Sequence, residues 1–323
     1  MNKTAPQYHP ISSFSFWKAY FIHMRPYLLF ISGIAGAAGI AMSRTPDIPA
    51  WKLCIAFIPF FLGYGFGQAL TDCFQTDTDR ISAPYRPLSQ GIVSVMSVMM
   101  VSIAGLLLSG LLLLWLHPFS FLFSVVSVGG LATYSFVKKR YWFGGPFYNA
   151  WIVALLPAMG YFTGLPGNVW KFPGYGYPIL IISFFSYANF VLIGYLKDIE
   201  ADRATNYKTF PVVFGWRKTI FAGDVFMLPA LFFFWWTSSH GYPQLLFGIA
   251  GSVVMIAGQI IAHLAKKQDE QEALIPILAT VRGFILLHLA IVLRYQADWL
   301  VYAIIYYLLF EWALYNRPSK YQV

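Results

Sequence analysis

Six of the 13 acidic residues in this 323-residue chain fall into two short groups. On a helix, residues four or seven positions apart lie on one face, so each group would set two carboxylates side by side. Like charges at that spacing repel, and the arrangement is costly unless a cation lies near them. The groups are Asp72, Asp77 and Asp79, and Asp198, Glu200 and Asp202.

Carboxylate oxygens at this spacing are suited to magnesium chemistry. Mg²⁺ takes one or two carboxylates together with waters and the oxygens of a substrate phosphate. Two facing groups would therefore hold a diphosphate through bridging magnesium ions. The alternative is two groups of ordinary loop acids, because structural ion-pair networks resemble functional sites. The neutralising cations would then be Arg80, Arg86, Lys197 and Arg203.

The two acidic regions are each succeeded by a similar segment. Gly91 lies twelve positions after Asp79, and Gly215 lies thirteen positions after Asp202, each beyond a basic, proline-containing stretch. Weak repetition of this kind is typical of duplicated helical membrane proteins. The pattern predicts an internal duplication with one acidic group in each half.

The composition places these acids in a membrane protein. The sequence is 58% hydrophobic and 11% charged, whereas a soluble domain carries about 25% charged residues. A bilayer core needs about 20 apolar residues per helix. We therefore predict a single domain over residues 1–323, an all-α polytopic bundle of nine to ten transmembrane helices around a central cavity. The expected spans are 20–42, 52–73, 93–116, 119–137, 147–165, 178–198, 219–238, 243–265, 275–293 and 298–316.

The lysines and arginines predict the orientation, because cytoplasmic loops carry the positive excess. With the N-terminus inside, 17 of the 22 lysines and arginines fall on the cytoplasmic side and four fall outside. This distribution explains the net charge of +9 without a nucleic-acid partner, and the sequence holds no nucleic-acid motif. Both acidic groups fall on the cytoplasmic side. Segment 275–293 is the weakest span because it contains Arg282 and His288, and a partly buried or re-entrant segment is the alternative there.

At these motifs the chain resembles the UbiA superfamily of intramembrane prenyltransferases. The family's first motif reads roughly N-D-x-x-D-x-x-x-D followed by P-Y-R-P-L-x-x-G, and here the segment is TDCFQTDTDRISAPYRPLSQG, residues 71–91. The second motif is D-x-x-x-D with a downstream K-T-x-P and glycine, and here it is KDIEADRATNYKTFPVVFG, residues 197–215. Matching motifs at two corresponding helix ends make the resemblance specific.

The first motif departs from the family pattern at two positions. Thr71 stands at the family's asparagine and Gln75 at its middle aspartate, while Asp72 and Asp79 stay in register. The first site therefore loses one ligand charge, and Gln68 or Gln75 would supply a neutral oxygen. The second motif is intact, although Asn206 stands where a glycine is common.

The resemblance implies a role for each charged motif residue. Asp72 and Asp79, with Gln75 and Gln68, would hold one Mg²⁺, and Asp198 and Asp202 would hold another; the four aspartates are the predicted catalytic residues. The diphosphate-binding cations would be Arg86, Lys138, Lys139, Lys208 and Arg25. Alternatively, the basic run at 138–140 is a membrane anchor, and Arg25 extends its guanidinium to the interface.

The implied activity is transfer of a prenyl group from a prenyl diphosphate to an aromatic, quinone-precursor or lipid acceptor. Ionisation of such a donor gives an allylic cation, which aromatic faces stabilise; the ring candidates near the motifs are Tyr64, Tyr134, Tyr187 and Tyr195. A terpene cyclase of the same superfamily would need no acceptor. A secondary transporter is the alternative from another class, but transporter sites lie near the bilayer midplane, whereas these acids lie at helix ends.

Overall fold

The computed structural model describes residues 8–43, 49–237 and 241–320, and within these ranges it is all-α, without a strand. The helices are α1 (Phe14–His23), α2 (Leu29–Ser43), α3 (Ala50–Asp72), α4 (Thr76–Ser82), α5 (Val95–Leu116), α6 (Pro118–Arg140), α7 (Gly144–Thr163), α8 (Tyr177–Gly194), α9 (Ile199–Ala204), α10 (Phe210–Thr237), α11 (Gln244–Leu264), α12 (Glu270–Tyr295) and α13 (Leu300–Tyr315).

The long helices confirm the predicted membrane bundle. In the described part of the chain, nine segments are long and apolar enough to cross a bilayer; with their adjoining short turns they contain α2, α3, α5, α6, α8, α10, α11, α12 and α13. A further helix, α7, has 20 residues and packs against α2, α6 and α8. Its position corresponds to the predicted span 147–165. Two of the cations used for orientation, Lys3 and Arg44, lie outside the described residues.

The first predicted span, 20–42, is divided in the structure. Helix α1 ends at His23, and the chain then turns at Arg25, whose φ of 56° is in the left-handed region. Residues other than glycine rarely adopt this conformation. A short 3-10 turn at Pro26–Leu28 leads into α2. The prediction missed the break because Tyr20, Phe21 and Ile22, at the end of α1, are apolar and extend the hydrophobic run of the span.

Segment 275–293 is a full helix and not a re-entrant segment. Helix α12 runs unbroken from Glu270 to Tyr295 and is buried over most of its length, with His288 bonded to Ser183 of α8 at 2.8 Å. Arg282 makes two hydrogen bonds to Glu311 of α13, at 2.7 and 2.8 Å. Pairing the two side chains avoids the free-energy cost of an unpaired charge within the bundle.

We expect Arg282→Met to destabilise the docking of α13 on α12. The variant leaves the Glu311 carboxylate without its bidentate partner, which costs about 1–3 kcal/mol. Thermal unfolding of the purified protein in detergent should therefore begin at a lower temperature. The double variant Arg282→Met/Glu311→Met removes both charges and should recover part of the loss. A double variant less stable than either single variant would contradict this account.

The two acidic regions meet at one end of the bundle. Helices α3 and α8 end there, and the short helices α4 and α9 that come after them pack against each other. Thr78 of α4 lies 2.9 Å from Thr205, hydroxyl to hydroxyl. The corresponding placement of α3–α4 and α8–α9 is the structural form of the repetition seen in the sequence.

Candidate active site

A polar cavity of about 700 Å³ opens between the ends of α3, α6 and α8. It adjoins a second, largely apolar cavity of about 790 Å³ that runs deeper among α3, α5, α6 and α7. Five residues line both cavities and define the neck between them: Tyr64, Gln68, Tyr134, Asn149 and Tyr187. Tyr64 and Tyr187 form a hydrogen bond of 3.1 Å across this neck.

The first acidic group is bound by two arginines. Arg25 donates to Asp72 at 2.5 Å, and Arg86 donates to Asp79 at 2.5 Å while lying 3.4 Å from Asp72. Gln68 also donates to Asp72, at 3.0 Å. The two arginines and the two aspartates are all buried. The left-handed backbone at Arg25 is thus explained by its buried contact with Asp72.

His23 lies 3.7 Å from Asp72 and was not predicted from the sequence. Burial lowers the pKa of His23 to about 4, and Arg86 and Arg25 act in the same direction against the opposing effect of Asp72. The imidazole is therefore neutral at neutral pH. Burial would lower the pKa of Arg86, but Asp79 and Asp72 hold it above its ordinary value. The charge of the two aspartates is accordingly balanced by Arg25 and Arg86.

Gln75 faces Lys138 at the place where the family pattern has an aspartate. Its amide donates to Ser135 at 2.9 Å and accepts from the Lys138 ammonium at 3.3 Å. The same ammonium lies 3.8 Å from Asp202 and above the ring of Tyr195. Lys138 therefore lies between the first and second acidic groups, as a buried cation that lines the polar cavity.

We expect Gln75→Asp to strengthen divalent cation binding, because it restores a carboxylate beside Lys138 and Asp79. The concentration of Mg²⁺ that gives half-maximal activity should fall several-fold. Titration of bound Mn²⁺ by electron paramagnetic resonance measures the affinity directly. Gln75→Glu, which carries the same charge on a longer side chain, is the matched comparison. Complete loss of cation binding in Gln75→Asp would show that the neutral amide has a specialised role.

The two aspartates of the second group have different surroundings. Asp202 is fully buried, accepts from Thr209 at 3.0 Å and from Thr78 at 3.5 Å, and does not line the polar cavity. Asp198 lines the cavity, with 19% of its side chain exposed, and lies 3.9 Å from Lys197. Helix α8 ends before Asp198, which closes a 3-10 turn. The two carboxylates therefore do not lie along one regular helix as the spacing predicts.

Two of the predicted diphosphate-binding lysines do not line the cavity. Lys139 pairs with Asp77 at 2.9 Å, and both side chains are about half exposed. Lys208 is exposed, and its backbone N–H bonds to the carbonyl of Lys139. In the K-T-F-P segment it is Thr209, and not Lys208, that contacts the site. By contrast, Arg25, Arg86 and Lys138 all line the polar cavity.

Left-handed backbone occurs at corresponding places in the two halves. Gly91 has a φ of 70° and Gly215 a φ of 79°, at the ends of the two motif segments. Asn206 has a φ of 61°, which explains why a glycine is common at that position. Asparagine is one of the few other residues that adopt this conformation readily.

The donor set fits magnesium bridged by a diphosphate. Among the described residues there is no group of three or more His, Cys, Asp or Glu side chains arranged as a metal site. Mg²⁺ does not require such a group, since one or two carboxylates suffice when phosphate oxygens and waters complete its octahedron. Asp72, Asp79 and Asp198 line one cavity together with Gln68 and Gln75.

Comparison with known proteins identifies the family. The model of the UbiA prenyltransferase family matches residues 30–279. The chain belongs to the UbiA prenyltransferase family. It is accordingly a multi-pass membrane prenyltransferase, and the resemblance seen in the two motifs is confirmed.

Individual UbiA relatives are distant. A digeranylgeranylglyceryl phosphate synthase from Thermococcus kodakarensis is 27% identical over 66% of this chain and 74% of its own length. A UbiA homologue from Archaeoglobus fulgidus, solved with DMAPP and Mg²⁺, has a TM-score of 0.61 at 18% identity, covering 83% of this chain and 98% of that one. The apo UbiA homologue from Aeropyrum pernix has a TM-score of 0.66 at 16% identity, covering 79% and 94%. At these identities the solved structures establish the UbiA fold alone.

Several residues around the UbiA site were not predicted from the sequence. Asn149 lines the polar cavity, and Thr78 and Thr209 hold Asp202. Lys197, expected only as a neutralising cation, lines the same cavity. The two threonines lie within the motifs, where a hydroxyl close to an aspartate in sequence was the only signal. Asn149 carries no signal, because a single asparagine in an apolar helix does not indicate which way it faces.

Proposed function

We propose that the chain transfers the prenyl group of a prenyl diphosphate to an uncharged, aromatic or quinone-precursor acceptor, with Mg²⁺ as the cofactor. The observation that carries this proposal is the junction of two cavities, one charged and one apolar, at a neck of tyrosines. A prenyl diphosphate has the same division into a charged head and a hydrocarbon tail. The Archaeoglobus fulgidus homologue bound to DMAPP and Mg²⁺ supports the donor class and the cofactor.

The fixed cations of the polar cavity would stabilise the leaving group. When bound, Mg²⁺ neutralises negative charge on the diphosphate oxygens. Arg86 and Lys138 are buried beside the aspartates and are positioned to donate to the same oxygens. Such preorganised donors stabilise charge most where it develops as the bond breaks. Arg25 would position Asp72 and reach the head group from the same wall.

The chemical change is a displacement at the first carbon of the prenyl chain. The bond from this carbon to the diphosphate oxygen breaks, and its electron pair leaves with the diphosphate. An electron pair from the acceptor forms the new bond, and the acceptor loses a proton. The rings of Tyr64, Tyr134 and Tyr187 surround the neck, where they would exclude water and face the electron-poor carbon.

The charge of a third cavity favours an acceptor without a phosphate. This cavity, of about 510 Å³, adjoins the polar one and shares Ser82, Lys197 and Asp198 with it. Its remaining lining residues are Pro84, Tyr85 and Glu270, so two carboxylates face one ammonium. A phosphorylated acceptor entering here would meet the Glu270 carboxylate, and the one ammonium among these lining residues already lies 3.9 Å from Asp198. The relatives named digeranylgeranylglyceryl phosphate synthase suggest the opposite acceptor class, a phosphorylated glyceryl lipid.

A comparison of acceptors tests this assignment. Purified protein with Mg²⁺ and a radiolabelled prenyl diphosphate would be offered a phenolic acid, a hydroxynaphthoic acid, an uncharged phenol and a glyceryl phosphate ether lipid. Prenylation of the uncharged phenol is the expected result, and prenylation of the two aromatic acids alone would contradict an uncharged acceptor. Prenylation of the glyceryl phosphate alone would overturn the acceptor class while leaving the donor chemistry intact. A cyclic hydrocarbon or terpene alcohol formed without acceptor would identify a cyclase.

We also propose that the site faces the cytoplasm, on the basis of the positive excess at the same end of the bundle. In a variant with Cys54 and Cys73 replaced by serine, a cysteine at Lys208 should react with an impermeant maleimide only in inverted vesicles. A cysteine at Lys171, in the α7–α8 connection at the opposite end of the bundle, should show the reverse pattern. Reaction of the Lys208 position in right-side-out vesicles would contradict this orientation.

A further inference from the structure

The apolar cavity has a measurable depth below the tyrosine neck. Three helices line it from the neck to its far end, and at a rise of 1.5 Å per residue they give consistent lengths. Helix α3 spans about 14 Å from Gln68 to Pro59, and helices α6 and α7 each span about 15 Å. Their limits are Tyr134 and Ser124 on α6, and Asn149 and Met159 on α7.

An extended isoprene unit contains four carbon–carbon bonds of about 1.5 Å and advances about 5 Å along the chain. About three units therefore fit below the neck. One further unit, attached to the diphosphate, would lie in the neck itself. The depth accordingly corresponds to a donor of about four units, or about 20 carbons.

Gly63 opens the wall of this cavity at about half its depth. A Cβ built on Gly63 would have no heavy atom of another described residue within 4 Å, outside its own helix backbone. One turn closer to the site, a Cβ on Gly67 would meet the side chain of Leu131 at 2.7 Å. Gly63 and Gly67 lie on the same face of α3, so Gly63 faces α6 across empty space.

Small residues on the facing helices keep that space open. Ser127 of α6 lies one turn before Leu131, and its buried hydroxyl has no hydrogen-bond partner among the described residues. Ser109 and Gly110 of α5 line the same region. The far end is closed by Phe60, Leu113 and Met159, which are buried in one apolar cluster.

We propose that Gly63 is a specificity-determining residue that allows a donor of 20 carbons, and that Met159 limits the length at the far end. This proposal rests on the prenyl-transfer function proposed above. The missing side chain at 63 leaves room for the third isoprene unit, counted from the diphosphate. The methionine contacts the end of the fourth.

The test measures kcat/KM for donors of 10, 15, 20 and 25 carbons in the wild type and in Gly63→Phe. The phenyl ring would block the cavity below the second unit. We expect kcat/KM for the 20-carbon donor to fall about 10–100-fold, since each lost methylene contact changes discrimination by about tenfold or more. The 10-carbon donor should stay within about twofold of the wild type. Gly129→Phe is the matched control, because Gly129 is also unobstructed but lies exposed on the outer face of α6.

A second variant and a binding measurement keep the test decisive. Met159→Ala should raise kcat/KM for the 25-carbon donor, and competition binding of the four donors should show the same order as turnover. A wild type without length preference, or equal losses for all donors in Gly63→Phe and Gly129→Phe, would overturn the proposal. A wild type that transfers no donor at all would instead overturn the proposed function.

Discussion

Asp198→Asn is expected to reduce prenyl transfer by about 10²-fold or more, with the protein still folded. Asp198 is the second-motif aspartate that lines the polar cavity, and its carboxylate is partly exposed to it. Removing one charged group that stabilises a transition state costs about 10²–10³ in kcat. The exchange is isosteric, so the packing at the end of α8 is retained. Steady-state assays at saturating donor and Mg²⁺ measure the effect.

Glu200→Gln supplies the control for this experiment. Glu200 lies two residues further along, is exposed, and pairs with Arg203 at the surface at 3.1 Å. It should retain activity within about twofold, because exposed ion pairs contribute little. If Asp198→Asn kept full activity, or if both variants lost activity equally, the second motif would not be the metal site that we propose.

Arg86→Met is expected to produce the second large loss, in both activity and stability. Arg86 is buried and contacts the carboxylates of Asp79 and Asp72 at 2.5 and 3.4 Å. Leaving a buried carboxylate uncompensated costs about 3–5 kcal/mol. The KM for the prenyl diphosphate should rise at least about tenfold, because the guanidinium also faces the head-group cavity. Donor titrations and thermal unfolding in detergent separate the two effects.

Arg86→Lys and Arg80→Met complete the series. The lysine keeps the charge but cannot bridge two carboxylates with a planar fork, so we expect recovered stability with activity still reduced. Arg80 is exposed on the neighbouring helix α4, and its replacement should change neither activity nor stability. Wild-type donor affinity in Arg86→Met would exclude Arg86 from diphosphate binding.

The bundle and the end at which the acids meet could be predicted from the sequence. Apolar segments of about 20 residues imply spans, and the parity of the spans places the ends of α3, α6 and α8 together. The break at Arg25 could not be predicted in this way. It depends on a buried contact with Asp72, 47 residues away, for which hydropathy gives no signal.

The site residues could be predicted where a charged residue lies within a motif. They were harder to predict where the three-dimensional packing decides which side chains reach the cavity. Asp72, Asp79, Asp198, Arg86 and Lys138 do line one cavity, while their chemical roles remain predictions. Lys139 and Lys208 belong to the same basic segments but face the surface. Neighbouring side chains at the end of a helix point in different directions, and only tertiary packing determines which of them reach the cavity.

Gly63 illustrates the opposite case, in which a function is carried by a side chain that is absent. A glycine in an apolar helix indicates tight packing as readily as open space. Gly36 and Gly39 of α2 contact α3 and α7 closely, whereas Gly63 faces a cavity. All three positions are glycines in apolar helical segments, and the space next to each of them is decided by the neighbouring helix.

Release of diphosphate tests the central claim most directly. Purified protein would be incubated with geranyl, farnesyl and geranylgeranyl diphosphates, with and without Mg²⁺ and an aromatic acceptor, and Asp198→Asn would be measured in parallel. We expect release that requires Mg²⁺ and the acceptor and is lost in the variant. Release that is independent of Mg²⁺, or equal in Asp198→Asn, would contradict a metal-assisted prenyl transfer at this site.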